Sequence, residues 1–129
     1  MASTDRKYVA IIGASTNRKK FGNKAVRAYA RQGWRVYPVH PLEEEIEGFE
    51  AFPTIRHIPG PVDRVSMYLP PEKGIKILRD IKKIDAPEVW LNPGSDSDEL
   101  VAAAERLGLN VIRACSILDT GLSPDDVPE

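Results

Sequence analysis

At 129 residues with a formal net charge of −1, the chain is sized for one domain with a substantial core and carries no general affinity for nucleic acid or acidic membranes. Any anion site is therefore a local cluster. A single cysteine excludes an intrachain disulfide and a cysteine-rich zinc site; the opening Met1–Lys7 lacks the apolar core of a signal peptide, and no apolar stretch reaches the roughly 20 residues of a membrane span, so a cytoplasmic protein without a metal centre is expected.

The first element is Tyr8-Val9-Ala10-Ile11-Ile12, an unbroken apolar run that reads as a strand buried on both faces. It stops at Gly13, and the small Ala14 and Ser15 follow, where a backbone can turn sharply and admit a close neighbour. Asn17, Arg18, Lys19 and Lys20 then lead into a helical pattern at Phe21. A strand, a small-residue turn, a donor-rich loop and a helix N-terminus together describe a phosphate cradle, because the helix end offers unpaired N–H groups and a partial positive charge. The spacing is neither the dinucleotide fingerprint nor a P-loop, since the next glycine is Gly22 and no G-K-[ST] follows. The same residues also fit a plain strand-to-helix turn flanked by solvated lysines.

Phe21, Ala25, Ala28, Tyr29 and Gln32 recur at helical spacing, and Gly33 is placed to end that helix. Arg35–Val39 is the second strand; Pro38 removes a ladder donor near its end, and His40-Pro41 closes it. Residues 43–61 are irregular, with Glu43, Glu44 and Glu45 as a solvated turn and Pro59-Gly60-Pro61 forbidding a regular helix. They predict a short extended piece and one turn of helix crossing the sheet edge. Val62–Leu69 is the third strand, and Pro70-Pro71 opens a helix whose buried stripe is Ile77, Leu78, Ile81 and Ile84. Pro87–Leu91 is the fourth strand, halted by Asn92-Pro93-Gly94. Ser95 or Ser97 caps the next helix, which buries Leu100, Val101, Ala103, Ala104 and Leu107 and stops at Gly108. Val111–Cys115 is the fifth strand. The proline- and acid-rich residues 119–129 predict a loosely held tail after a core of about 7–118 within a single domain, 1–129.

Strands and helices that alternate in this way give an α/β fold: a Rossmann-like, doubly wound, parallel five-stranded sheet in a three-layer α/β/α stack. Right-handed crossovers predict the strand order 3-2-1-4-5, with the chain reversing direction between the first and fourth strands. Ligands in such folds sit beyond the carboxyl ends of the strands at the reversal. The loops gathered there are Gly13 to Lys20, Asn92 to Ser95, Val39 to Pro41 and Leu69 to Pro71, so the cradle and the switch point meet on one crevice.

These stretches resemble the CoA-binding domain family, small stand-alone proteins similar to the N-terminal domain of the succinyl-CoA synthetase alpha subunit. The resemblance is carried by Val9–Ser15, Gly33–Pro41, Pro59–Asp63, Val89–Gly94, Gly108–Ile112 and Cys115, and spans about Tyr8 to Leu118. It implies a Rossmann-like domain that holds coenzyme A or an acyl-CoA. Carried over by position, Gly13, Ala14, Ser15, Asn17, Arg18 and Lys19 face the CoA phosphates; Val39, His40 and Pro41 border the adenosine; Leu69 and Pro70, with Asn92, Pro93 and Gly94, line the passage for the pantetheine arm. The chain departs from the family pattern at His40, where asparagine is usual, at Asn92, where glutamine is more frequent, and at Arg113-Ala114, where an Asp-Arg pair is expected.

The synthetases place a phosphorylated histidine on a later domain and take nucleotide from an ATP-grasp partner, and neither feature is expected here. His40 and His57 fall in loops and read as turn or surface residues, so no catalytic residue is assigned. Cys115 reads as a small buried hydrophobe, or as a thiol placed to meet the CoA thiol in a mixed disulfide. The expected function is a CoA-binding module without chemistry of its own. The alternatives are an NAD(P)-binding enzyme or redox sensor, disfavoured by the missing second glycine and the lack of an acid at the end of the second strand, and a non-catalytic subunit of an acyl-CoA synthetase-like assembly. Expected partners are a small CoA ligand and, beyond it, a second copy of the chain or an ATP-grasp protein; nucleic acid and membrane are not among them.

Overall fold

In a computed structural model that describes residues 6–129, the opening apolar run becomes β1 (Tyr8–Ile12), and the chain continues as α1 (Phe21–Arg31) and β2 (Arg35–Val39). A small hairpin follows, β3 (Glu45–Ile46) and β4 (Phe49–Glu50), then a 3-10 turn at Ile55–His57. The second half runs β5 (Arg64–Met67), α2 (Pro71–Gly74), a 3-10 turn at Ile75–Ile77, α3 (Leu78–Ile84), β6 (Glu88–Leu91) and α4 (Asp98–Arg106). It ends with β7 (Val111–Arg113), α5 (Ser116–Asp119) and a 3-10 turn at Pro124–Asp126. The five longer strands pair in parallel throughout, and β3 with β4 is antiparallel.

Both faces of the main sheet are covered, which is the doubly wound, three-layer arrangement the alternation predicts. On one face Ala10, Ile12, Val65, Met67, Val89 and Leu91 meet Leu78 and Ile81 of α3, Leu100 and Ala104 of α4, and Ile55. On the other, Val9, Ile11 and Val36 meet Ala25, Val26 and Tyr29 of α1 and Ile117 of α5. Successive side chains of a strand point to opposite faces, so a strand buried in both layers has to be apolar at every position. Of the two candidate caps for α4 the structure uses Ser97, whose hydroxyl accepts the Leu100 N–H at 3.1 Å.

The strand order differs from the expected 3-2-1-4-5. The sheet reads β2-β1-β5-β6-β7, so the third long strand, β5, lies between the first and the fourth rather than outside the second. The reason is in Pro38 and in β5 itself. β2 pairs with β1 along one side only, and Pro38, which lacks an N–H, is tolerated on such an edge. All four residues of β5 are buried, which calls for a neighbour on each side, and β1 and β6 supply them. The free side of β2 is covered by one bridge: the Phe52 N–H donates to the Pro38 carbonyl at 2.9 Å, and the Phe52 carbonyl accepts the His40 N–H at 3.0 Å. That bridge is the short extended piece expected at the sheet edge, and Ile55–His57 is its turn of helix. The chain therefore reverses between β1 and β5, and the switch point moves with it.

The segment expected to hang loosely lies along α1. Val127 is buried, Ser123 and Asp126 cap one another reciprocally, Arg31 Nη1 donates to the Asp126 carbonyl at 2.9 Å, and Arg27 reaches the Pro128 carbonyl.

At the N-terminal ends of the strands Arg64 opens β5 almost without solvent contact. Its Nε and Nη2 donate to Glu88 Oε1, both at 2.8 Å, and Nη1 donates to Asp119 Oδ2 at 2.8 Å and to the Tyr29 hydroxyl at 3.2 Å. The guanidinium lies between the rings of Trp34 and Trp90, 5.0 and 4.5 Å from their centroids. Each of the three guanidinium nitrogens is engaged, as a buried charge requires.

Candidate functional site

The C-terminal ends of β2, β1, β5 and β6 open into a cleft of about 1000 Å³, at the switch point where the fold class places ligands. Its floor is apolar, with Ile12, Val39, Ile55 and Leu69. Of the residues singled out in the sequence, the structure brings together Gly13, Ala14, Ser15, Val39, His40, Pro41, Leu69, Pro70, Pro93 and Gly94 around it. Asn17, Arg18, Lys19 and Asn92 stand apart from the lining, each for a visible reason.

The first loop is shaped by close approach. Gly13 has φ +88°, and a Cβ there would lie 3.0 Å from the Tyr68 carbonyl carbon of the neighbouring strand. Gly22, in the first turn of α1, is tighter still: its Cβ would fall 2.2 Å from the Gly13 carbonyl oxygen, a contact with backbone that no side-chain rotation relieves. The two glycines let the α1 N-terminus sit directly over the strand-to-helix turn. No side chain caps that terminus and no acid lies in its first turn, which leaves a helix end of positive character facing the cleft.

The loop between them orders itself. Ser15 Oγ accepts the Asn17 N–H at 3.0 Å, and Asn17 Oδ1 accepts the Lys19 N–H at 3.0 Å, so Asn17 builds the turn rather than reaching into the cleft. Asn23, fully buried on α1, donates through Nδ2 to the Ser15 carbonyl at 2.9 Å and to Glu47 Oε2 at 3.0 Å. Glu47 lies at the tip of the β3–β4 hairpin, where it and Gly48 both have positive φ, as a type I′ turn requires. Its carboxylate also holds Arg18 Nε at 3.4 Å, while Lys19 Nζ lies 3.7 Å from Glu129. Of the three basic residues in the loop, Lys20 is the one that lines the cleft.

Asn92 is turned inward. Its Nδ2 donates to Ser66 Oγ at 2.9 Å and to the Met67 carbonyl at 2.8 Å, and its Oδ1 accepts the Ser116 N–H at 2.8 Å. It is a brace beneath the cleft, joining β5, the end of β6 and α5. Ser66 Oγ and Ser116 Oγ lie 2.6 Å apart, and the Tyr68 hydroxyl is 3.4 Å from Ser116 Oγ. Burial pushes the Tyr68 hydroxyl's pKa well up, so it stays a neutral phenol, and the residue is part of the cleft lining.

His40 does line the cleft. Its Nδ1 accepts the N–H groups of Leu42 at 3.0 Å and Glu43 at 3.1 Å, which puts the ring proton of the neutral form on Nε2. His57 Nδ1 is instead paired with the Thr54 hydroxyl at 2.8 Å, holding the 3-10 turn. Cys115 packs with the apolar cluster on the α1 side and is absent from the cleft lining.

Sequence reasoning missed the cleft's far wall: Thr54 and Arg56 from the crossover, Tyr68 at the end of β5, and Lys73, Lys76, Ile77 and Asp80 from the helical run after it. Tyr68 was hidden by the misplaced third strand. The helical periodicity sets Ile77 in the buried stripe and Lys76 outside it, so it does not mark this stretch as the lining of a cleft. Among the described residues, no helix is long and apolar enough to cross a membrane and no group of three or more His, Cys, Asp or Glu is placed to hold a metal.

Residues 7–120 match the family model described as CoA binding domain. The chain is 32% identical over 115 residues to the alpha subunit of acetate–CoA ligase (ADP-forming) II from Pyrococcus furiosus, covering 81% of this chain and 25% of that subunit. It thus spans about a quarter of that relative's length. An uncharacterized Bacillus subtilis protein, YneT, is 26% identical over 106 residues, covering 82% of this chain and 78% of its own. Among solved structures, a conserved hypothetical protein from Pyrococcus furiosus superposes with a TM-score of 0.78 at 27% identity, covering 88% of this chain and 98% of its own.

Proposed function

This chain belongs to the CoA-binding domain family, and on that footing we propose that it holds coenzyme A, free or acylated, in the cleft and does no chemistry of its own on it. The observation that carries the reading is one of charge. A chain with net charge −1 lines a single cleft with Lys20, Arg56, Lys73 and Lys76 against one carboxylate, Asp80. The cleft floor is apolar, which suits the adenine and the pantetheine arm, and the cationic walls suit the phosphates.

In this reading the pyrophosphate lies against the Gly13–Ser15 turn, the uncapped start of α1 and Lys20. The adenosine borders Val39, His40 and Pro41. The pantetheine arm runs past Leu69 and Pro70 toward Pro93 and Gly94. Arg18 and Lys19 act at longer range, because their head groups are engaged by Glu47 and Glu129.

A thermal-shift ranking tests this. CoA at a hundredfold excess over Kd stabilises the folded chain by about 2.7 kcal/mol, a rise in Tm on the order of 10 °C, with NAD, NADP and ATP well below it. NAD or NADP outranking CoA would overturn the reading.

The match to a quarter of a ligase subunit favours a second reading, in which the CoA-loaded chain serves an acyl-CoA ligase as an accessory partner. Both readings expect no acyl-CoA from the purified chain given a carboxylate, CoA and ATP; turnover would defeat both.

A further inference from the structure

The cleft carries cationic side chains on two separate stretches of chain. One wall is the Gly13 turn with Lys20. The other is the run after β5, made of α2, the 3-10 turn at Ile75–Ile77 and α3, which presents Lys73, Lys76, Ile77 and Asp80 to the cleft. Across from it stands Arg56 on the crossover turn, whose Nε lies 3.7 Å from Asp80 Oδ2. The acid on this face is thus answered by Arg56. Lys73 and Lys76 have no ion-pair partner among the described residues.

A ligand whose only anionic group is a pyrophosphate is served by the first wall. A second, separate set of cations, Lys73 and Lys76, in a lining that also includes Thr54 and Arg56, calls for a second phosphate on the same ligand. We propose that Lys73 and Lys76 take the 3′-phosphate of the bound coenzyme and are what distinguishes CoA from dephospho-CoA, with the Arg56–Asp80 pair holding that wall open. The inference rests on the reading of the cleft as a CoA site. It adds the element that makes the site selective among adenine nucleotides. Ile77, next to Lys76 on the same wall, gives the ribose an apolar edge.

The test is a calorimetric comparison of CoA with dephospho-CoA on the wild-type chain, on Lys73→Gln/Lys76→Gln and on Lys20→Gln. Wild type should prefer CoA by about tenfold or more, as expected for a charge-assisted contact. The double variant should bring CoA down to the affinity of dephospho-CoA and leave dephospho-CoA unchanged. Lys20→Gln should weaken both ligands by the same factor. Lys73→Arg/Lys76→Arg should keep the preference, which separates loss of charge from loss of shape.

A preference for CoA that survives in the double variant, or an equal loss for both ligands, overturns the inference and leaves the CoA site standing. A wild-type chain that binds neither ligand overturns both. NADP carries its extra phosphate on the 2′-oxygen. If Lys73 and Lys76 favoured NADP over NAD as strongly as CoA over dephospho-CoA, the assignment to the 3′-position would fall.

Discussion

Arg64 at one end of the sheet and Lys20, Lys73 and Lys76 at the other are the same kind of charge put to opposite uses. Arg64 is 7% exposed, bonded to Glu88, Asp119 and Tyr29, and enclosed by two indole rings. Nothing about it is left for a ligand. The cleft lysines line a concavity and, among the described residues, have no carboxylate within ion-pair distance. Burying a charge demands that all its bonds be made at home; leaving one in a cleft without a partner keeps its bonds available. Counting cations would rank the two ends alike, whereas their partners separate them.

The comparison is broken most directly at Arg64. Arg64→Met leaves Glu88 and Asp119 without their cation, and because both acids keep some solvent the cost falls at the low end for a disrupted buried pair, about 3 kcal/mol. Thermal denaturation should show a fall in Tm on the order of 10 °C, while CoA affinity measured well below that Tm is unchanged. A stable variant with weakened CoA binding would mean that the two ends are not separate.

Gly22→Ala is next. Its methyl group cannot coexist with the Gly13 carbonyl, so α1 has to shift off the turn, at about 2 kcal/mol of stability and with loss of the CoA-induced Tm rise. Normal CoA response in this variant would show that the contact of helix end and turn is not part of the site. Gly13→Val, the more obvious substitution, is less informative, because its side chain meets the Tyr68–Leu69 backbone just after β5 and is strained at φ +88°.

Lys20→Gln should change unfolding stability by less than about 0.5 kcal/mol yet weaken CoA roughly tenfold, with a shallower salt dependence than wild type. Arg18→Gln should weaken CoA less than about threefold, since an exposed ion pair with Glu47 is worth little and already occupies the guanidinium. Equal effects at the two positions would mean that the phosphates lie nearer the hairpin.

The smallest effect is one of pH. The hydrogen bond from Trp90 and the neighbouring Arg64 guanidinium hold the Glu88 carboxyl below its ordinary value. A depressed carboxylate pKa contributes stability that is fully present above the unfolded value, about 4.3, and is lost as pH falls through the folded one. Glu88→Gln should therefore flatten the acid limb of a stability–pH curve below about pH 4.3. An unchanged limb would remove Glu88 from the account of Arg64.

The layers of the fold and most of the cleft were legible because they follow from local signals. Apolar runs marked the buried strands, small residues marked the turn at Gly13, and proline marked the strand ends. Strand order was not legible in the same way. The connection from β2 to β5 carries a hairpin and a single turn instead of a helix, so no amphipathic stripe announced which face it crosses. Pro38 held the decisive hint, since an interior strand would have needed its missing N–H. Asn92 and Asn23 show a second limit. Both are asparagines beside the site, and sequence cannot tell an amide aimed at a ligand from one bonded within the core. Position within an apolar stripe was the only clue for Asn23. Lys76 was not marked as a cleft residue because a lysine beside an apolar stripe looks alike whether it borders water or a cleft.

Asn92 also fixes how the cleft floor reports on its own integrity. The Ser116 amide proton is donated to Asn92 Oδ1 from another part of the chain, so it exchanges with deuterium only when α5 lifts away or the end of β6 loosens. Its exchange rate is a clock on that joint. A ligand gripping Pro93 and Gly94, the residues next to Asn92, should slow the clock without touching Ser116. Occupancy of the cleft would then be readable from an amide buried beneath it.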